Sequence, residues 1–171
     1  MRAKRIPQDV QNKINRVSKI MIYAIVFCCA SPFLYMILLQ VWASPKGMDI
    51  MTYVESDSFA LINMLASFIN PFAGLALNQI RKRLLEYGPA DEIYRGLEIL
   101  LIGELCMMNT LYIFVMLYLL YRVRGIYKEK YRIAWRAPSI KEFFKSASAS
   151  ITVLVLYLFV GILLIRVTFF A

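Results

Sequence analysis

Long stretches without charge divide the chain into apolar and polar zones. Three stretches hold no charged residue, 20–45, 58–80 and 146–165, and a fourth, 99–121, holds only Glu104. At about 1.5 Å per helical residue, each is long enough for the roughly 30 Å hydrocarbon core of a bilayer. We therefore predict an all-α integral membrane protein, a single polytopic domain built as a bundle of about four transmembrane helices. After a basic flank at 1–19, the predicted spans are 20–43, 58–80, 99–121 and 146–166.

The second span contains an Asn70-Pro71 pair, which allows two topologies. The pair either kinks a helix that crosses the membrane or marks the turn of a re-entrant hairpin. Asp57 precedes the span as a helix cap, and Gly88 before Pro89 suits a C-terminal cap well beyond it. Exposed irregular backbone is not tolerated in lipid, whereas a proline within a membrane helix is. These local signals favour a kinked spanning helix, with the re-entrant form as the alternative.

The charge distribution favours the alternative. Lysine and arginine collect in cytoplasmic loops, and residues 1–19 hold six of them, so we predict a retained N-terminal flank in the cytosol. With four crossings, the eight basic residues of 122–145 fall on the opposite side. Re-entry at Asn70-Pro71 would bring them back to the cytoplasmic side. The side on which 122–145 lies is therefore open at this point.

The polar segment between the third and fourth spans combines aromatic and basic residues at helical spacing. A four-residue repeat starts at Val123, and a basic repeat runs directly beside it. The repeats comprise Val123, Tyr127, Tyr131 and Trp135, and Arg124, Lys128, Arg132 and Arg136. Such a helix suits the headgroup region and anionic lipid, and arginine with tryptophan also suits a protein partner. We predict an interfacial helix at 122–138 that docks lipid or a partner. Nucleic acid is not expected, because lipid contact accounts for both residue types.

Polar residues at membrane depth are the candidates for function. Asn63, Asn70 and Asn78 fall near one helical face together with Gly74, beside Pro71, and we interpret this stripe as helix packing rather than a permeation path. Glu104, with Asn109 nearby, is an ionisable group in an apolar segment and by default indicates function. It is either shallow and hydrated, or buried and protonated or paired. We expect the shallow position.

Composition excludes much chemistry. The chain is 60% hydrophobic and contains no histidine, so histidine-based haem, zinc and triad sites are excluded. Cys28, Cys29 and Cys106 are expected to act as apolar packing residues. No metal-ligand cluster or phosphate-binding loop occurs, so we predict no enzyme, no cofactor and no metal.

The functional expectation is a non-catalytic membrane subunit or accessory protein of a larger complex. Its expected partners are protein subunits and anionic lipid headgroups. The alternative is a small homo-oligomeric transporter or channel that uses Glu104 and the asparagine stripe. A lipid-modifying enzyme ranks third, since no catalytic motif supports it.

Overall fold

The computed structural model describes residues 7–107, 109–127 and 140–170, which form helices and short turns only. The helices are α1 (Gln8–Ala43), α2 (Ile50–Ser56), α3 (Ser58–Leu85), α4 (Ala90–Cys106), α5 (Thr110–Tyr127) and α6 (Ile140–Phe170). The all-helical class is confirmed. Four stretches are long and apolar enough to cross a membrane: α1 with the 3₁₀ turn that follows it, α3, α5, and 147–167 of α6.

The second apolar stretch forms one continuous helix, so the re-entrant turn at Asn70-Pro71 is wrong. As predicted, Asp57 caps α3 by accepting hydrogen bonds from the backbone N–H groups of Phe59, at 2.9 Å, and Ala60, at 3.2 Å. Pro71 has no N–H to donate to the carbonyl four residues earlier, that of Ser67. The hydroxyl of Ser31 on α1 lies 3.0 Å from this carbonyl oxygen. The neighbouring helix thus satisfies the carbonyl that proline frees, and α3 continues.

The end of α3 differs in detail from the prediction. Tyr87, not Gly88, takes the left-handed conformation, with φ 50°. The N–H of Gly88 donates to the Arg83 carbonyl at 2.9 Å, and that of Tyr87 to the Leu84 carbonyl at 3.0 Å, which is the Schellman pattern. The Tyr87 ring stacks on Tyr127, with centroids 5.1 Å apart. This stacking accounts for a tyrosine at a position that usually favours glycine.

The third apolar stretch, expected as one helix over 99–121, is divided between α4 and α5. The break has a local cause in Asn109. Its N–H donates to the Glu104 carbonyl at 3.1 Å, closing the end of α4, and its own carbonyl accepts from the N–H of Ile113 at 3.0 Å, opening α5. Asparagine is a strong helix-capping residue. α4 and α5 therefore form a helical hairpin, and the single third span is a misprediction.

Three long helices, α1, α3 and α6, pack as a bundle around the α4–α5 hairpin. α1 lies against α3, α6 packs on α3 and α4, and α5 contacts α4 and α1. Small residues bring the backbones close: a β-carbon added to Gly74 would lie 3.1 Å from that of Cys28 on α1. The short helix α2 was not predicted. It caps the end of the bundle where α1 ends, with Tyr53 and Val54 buried in a second, smaller core.

α2 begins at an N-cap that lies in the loop after α1. The backbone N–H of Thr52 donates to Asp49 Oδ1 at 2.7 Å, and this hydrogen bond holds the pKa of the Asp49 carboxyl below its usual range. The cap fixes the start of the helix that joins α1 to α3.

The α4–α5 hairpin extends through only about half of the bundle. Next to its tip at 107–109, the Tyr112 ring lies 5.6 Å from Phe27 in the middle of α1, and a β-carbon on Gly161 of α6 would lie 3.3 Å from the Cys106 carbonyl. Beyond this level α1 continues from about residue 30 to Ala43 and α6 from Gly161 to Phe170, roughly 20 and 13 Å. At its other end the hairpin meets the α3–α4 turn, where the Tyr127 hydroxyl donates to the Gly88 carbonyl.

Candidate functional site

A polar cleft opens above the tip of the hairpin, in the half of the bundle that the hairpin does not fill. Its volume is about 430 Å³. α1, α3, α6 and the hairpin tip all contribute to its wall. The polar lining residues are Ser31, Tyr35, Asn63, Ser67, Asn70, Asn109, Thr110, Tyr112 and Tyr157. A cleft with this many hydroxyl and amide groups lies on helices long and apolar enough to cross a membrane.

The floor of the polar cleft is a hydrogen-bonded group from three helices. The Tyr157 hydroxyl on α6 lies 2.8 Å from Asn70 Oδ1 on α3 and 2.9 Å from Glu104 Oε1 on α4. Glu104 is 0% exposed, so the expected shallow, hydrated position is wrong. The close approach of Tyr157 depends on Gly103, where a β-carbon would lie only 2.6 Å from Tyr157 Cδ2.

Glu104 has no cationic neighbour to balance its charge. Neither ion pair found among the described residues, Arg83–Glu92 or Arg95–Asp91, includes Glu104. Its second oxygen, Oε2, is buried and has no hydrogen-bond partner in the described part of the chain. An ionised carboxylate in such a place is costly unless a proton or a cation compensates it.

The predicted asparagine stripe is divided among different environments. Asn63 and Asn70 both line the polar cleft, and so does Asn109. Asn78 lies apart and accepts a hydrogen bond from Arg81 at 3.4 Å. Helical geometry explains the division, because a step of seven residues returns to nearly the same face, whereas a step of eight rotates by about 80°.

The other candidates of that stripe have packing positions. Gly74 is buried against Cys28 of α1, and Pro71 is the residue whose missing N–H is compensated by Ser31. Of the cysteines, Cys28 is buried, Cys29 is exposed and Cys106 is intermediate.

The predicted basic-aromatic surface lies partly within the described residues. Tyr127 is buried, stacked on Tyr87 and bonded to Gly88, so it is a core residue rather than a docking residue. The reason is that α5 packs against the α3–α4 turn with this face. Arg124 is exposed. The remaining docking candidates lie outside the described residues: Lys128, Tyr131, Arg132, Trp135 and Arg136.

A second cleft, here called the basic cleft, lies between the start of α1 and the end of α5. Its volume is about 570 Å³. It is lined by Lys13, Arg16, Val17, Tyr121, Arg122, Arg124 and Gly125. The sequence did not predict this grouping, because it joins residues more than a hundred positions apart.

Two further residues of the site were missed. Ser31 could have been identified from the sequence, because it directly precedes Pro32. A serine hydroxyl can satisfy the backbone carbonyl that a proline leaves without a donor. Tyr157 lies seven residues after Ser150 and four before Gly161, on the small face of α6. A hydroxyl on that face indicates a contact with another helix but does not identify that helix.

No protein family, curated protein or solved structure matches the chain. Among the described residues, no group of three or more potential metal-ligating side chains occurs. The functional argument therefore starts from the two clefts and from Glu104.

Proposed function

We propose a multi-pass membrane protein in which α1, α3 and α6 cross the bilayer while the α4–α5 hairpin enters and leaves on one side. Large apolar side chains on the bundle surface support this arrangement, including Phe33, Phe114 and Phe159, each more than 60% exposed. Such faces suit lipid and are rare on soluble proteins. Although α5 is long enough to cross, its first turn lies beside the middle of α1.

The charge distribution supports the same topology. In the bundle, the start of α1, the α3–α4 turn and the end of α5 all lie at one end. Residues 1–19, 81–98 and 122–145 hold six, four and eight basic residues, which together are all of the 20 except Lys46 and Arg166. By the positive-inside rule this end is cytoplasmic. This topology places the re-entry at α4–α5 instead of α3. The caps of α3, which favour a continuous helix, and the distribution of basic residues are then compatible with one arrangement.

Within this topology we propose that the protein is a non-catalytic subunit of a larger membrane complex. The observation that carries the proposal is the polar cleft between helices that are long and apolar enough to cross a membrane. Acyl chains cannot satisfy the amides of Asn63 and Asn109 or the irregular backbone of the hairpin tip. A polar helix of a neighbouring subunit can, and such helix contacts rely on small and polar residues.

A site-specific crosslink tests the subunit proposal. A photoreactive side chain at the exposed cleft residue Asn63 should yield one protein adduct of defined mass in native membranes. The same group at Phe159, on the apolar outer face of α6, should yield mainly lipid adducts. The adduct partner should also co-purify at stoichiometric level in mild detergent. Lipid adducts alone at both positions, together with purification of the chain without other subunits, would refute the proposal.

A second candidate function, transport as a homo-oligomer, is favoured by one observation. Glu104 is buried behind Asn70 and Tyr157, which line the polar cleft, and intramembrane ionisable groups often couple to protons or ions. In reconstituted vesicles this function predicts an acid-dependent ion flux that Glu104→Gln abolishes. Absence of flux in the wild-type protein would exclude it.

The basic cleft supports the proposal that the protein binds anionic lipid at its cytoplasmic end. Each basic residue near an anionic surface contributes about 1 kcal/mol, and four side chains surround this cleft. Replacing Lys13 and Arg16 by glutamine should reduce the anionic phospholipid retained through purification, measured by mass spectrometry. A control variant, Arg166→Gln, at the opposite end, should retain the wild-type amount.

A further inference from the structure

The Tyr157 hydroxyl lies within hydrogen-bonding distance of two acceptors but has only one proton. It lies 2.8 Å from Asn70 Oδ1 and 2.9 Å from Glu104 Oε1. Donation to one oxygen leaves the other facing a hydroxyl lone pair, which is unfavourable for buried groups. A second proton must therefore enter the contact from Glu104 or from the amide of Asn70.

Two proton arrangements satisfy all three groups. When Glu104 is protonated, its carboxyl donates to Tyr157, and Tyr157 donates to Asn70 Oδ1. When Glu104 is ionised, Tyr157 donates to the carboxylate, and Asn70 turns its amide by 180° so that its nitrogen donates to Tyr157. The oxygen and nitrogen of an asparagine amide have nearly the same shape, so this rotation requires no repacking.

The two arrangements differ in what Asn70 presents to the polar cleft, which it lines. With Glu104 protonated, the amide N–H donors face the cleft. With Glu104 ionised, the amide oxygen faces the cleft. The uncompensated negative charge of Glu104 then lies behind Asn70, on the other side of the Tyr157 hydroxyl. Only the ionised arrangement attracts a cation, and it does so strongly because the surroundings are apolar.

We propose that Glu104, Tyr157 and Asn70 form a proton-controlled binding site that takes up a small monovalent cation in the polar cleft when Glu104 gives up its proton to water. The cation's charge matches the single carboxylate. A divalent ion would need further carboxylates, and no cluster of three ligating groups occurs in the described part of the chain. Asn63, Ser31 and Ser67 line the same cleft and offer further oxygen ligands. This inference goes beyond the proposed subunit role and does not depend on it.

The titratable neighbours of Glu104 come from three helices. They are Tyr157 on α6, Tyr112 on α5 and Cys28 on α1. Asn70 on α3 and Asn109 at the hairpin tip also face this group, and neither titrates. The two tyrosines and the buried thiol are uncharged at neutral pH, so Glu104 is the group that changes charge.

Sodium binding as a function of pH tests the proposal on the protein purified with all its bound subunits, in neutral-lipid nanodiscs. Because proton and cation compete, the apparent Na⁺ affinity should rise about tenfold per pH unit while Glu104 is largely protonated, and then level off. Added Na⁺ should also remove the infrared band of a protonated carboxyl. Glu104→Gln should lose the band and the pH-dependent binding while keeping its size and shape.

Two tyrosine variants separate the relay from general packing. Tyr157→Phe removes the hydroxyl that links Glu104 to Asn70, so the carboxyl band should still titrate but Na⁺ affinity should fall at least tenfold. Tyr127→Phe removes a buried hydroxyl at the other end of the hairpin, where it donates to the Gly88 carbonyl, and it should leave both measurements unchanged.

Three results would overturn the proposal: no Na⁺ binding at any pH, Na⁺ affinity independent of pH in the wild-type protein, or pH-dependent binding that persists in Glu104→Gln. The same samples report which subunits remain bound. Na⁺ binding without a bound partner would count against the subunit role only, whereas a bound partner without Na⁺ binding would count against this site only.

Discussion

At the scale of single residues, one hydroxyl lies between the two carbonyls that two prolines leave without a donor, and its one proton is shared between them. Pro32 in α1 and Pro71 in α3 each leave the carbonyl four residues earlier without a donor. Those carbonyls belong to Cys28 and Ser67, and the Ser31 hydroxyl lies 2.9 Å from the first oxygen and 3.0 Å from the second. Ser31 therefore joins the two helices at the point where both ladders are interrupted.

Replacing Ser31 by alanine should lower the free energy of unfolding by about 1–3 kcal/mol, because two carbonyl oxygens at a helix contact lose the one proton that lies between them. Reversible unfolding in mixed micelles measures this change. The matched control is Ser67→Ala, since the Ser67 hydroxyl donates to the Met64 carbonyl within its own helix. Equal losses in the two variants would contradict the role given to Ser31.

A substitution at Gly103 tests the packing beneath the polar cleft. An alanine there would place its β-carbon 2.6 Å from the Tyr157 ring, so Tyr157 must move away from Glu104. We expect a loss of about 1–3 kcal/mol in the same assay. Gly125→Ala is the control, because no neighbouring atom of the described residues lies within 4 Å of the added carbon and alanine favours the helix. A neutral Gly103→Ala would show that the close contact is not needed.

Residue environments were the hardest feature to predict. The carboxyl group of Glu104 was identified from the sequence as unusual, but its burial depends on Tyr157, 53 positions away, and no local pattern indicates that pairing. Tyr127 shows the opposite case: its four-residue repeat predicted an exposed stripe, and a tertiary contact to Gly88 buried it.

At the scale of helices, the apolar stretches predicted where helices occur but not how far they extend into the bundle. Caps that stand beside polar segments, such as Asp57, were predicted correctly. The break at Asn109 was missed because apolar residues on both sides give an unbroken hydropathy signal. Re-entry was considered at Pro71, where a serine from α1 allows the helix to continue, whereas the chain actually turns at 107–109.

The hairpin arrangement predicts the sidedness of two loops. With the native cysteines replaced, single cysteines at the exposed positions Glu86 and Arg124 should react with an impermeant maleimide from the same side as the N-terminus. A cysteine at Lys46 should react only from the opposite side. A single span over 99–121 would place Glu86 and Arg124 on opposite sides, so different sidedness at these two positions would contradict the hairpin.

At the scale of the whole molecule, a half-length hairpin in a bundle of three long helices creates both features of functional interest. It leaves the polar cleft in one half of the bundle, and it returns the end of α5 to the end of the bundle where α1 begins. The charge distribution in the sequence already favoured an even number of crossings before the basic segment 122–145, and the sequence offered Asn70-Pro71 as the point of re-entry. The contacts between helices favour α4–α5 instead.

The central claim is that the hairpin tip lies near the middle of the bilayer, and its depth can be measured directly. A nitroxide at the exposed tip residue Leu111, in reconstituted protein, should show the same depth as one at the exposed residue Val26, in the middle of α1. A nitroxide at Met48, beyond the end of α1, should lie near the headgroups. Equal depths at 111 and 26 would support the re-entrant hairpin and the cleft above it. A Leu111 label at headgroup depth, matching Met48, would contradict the account.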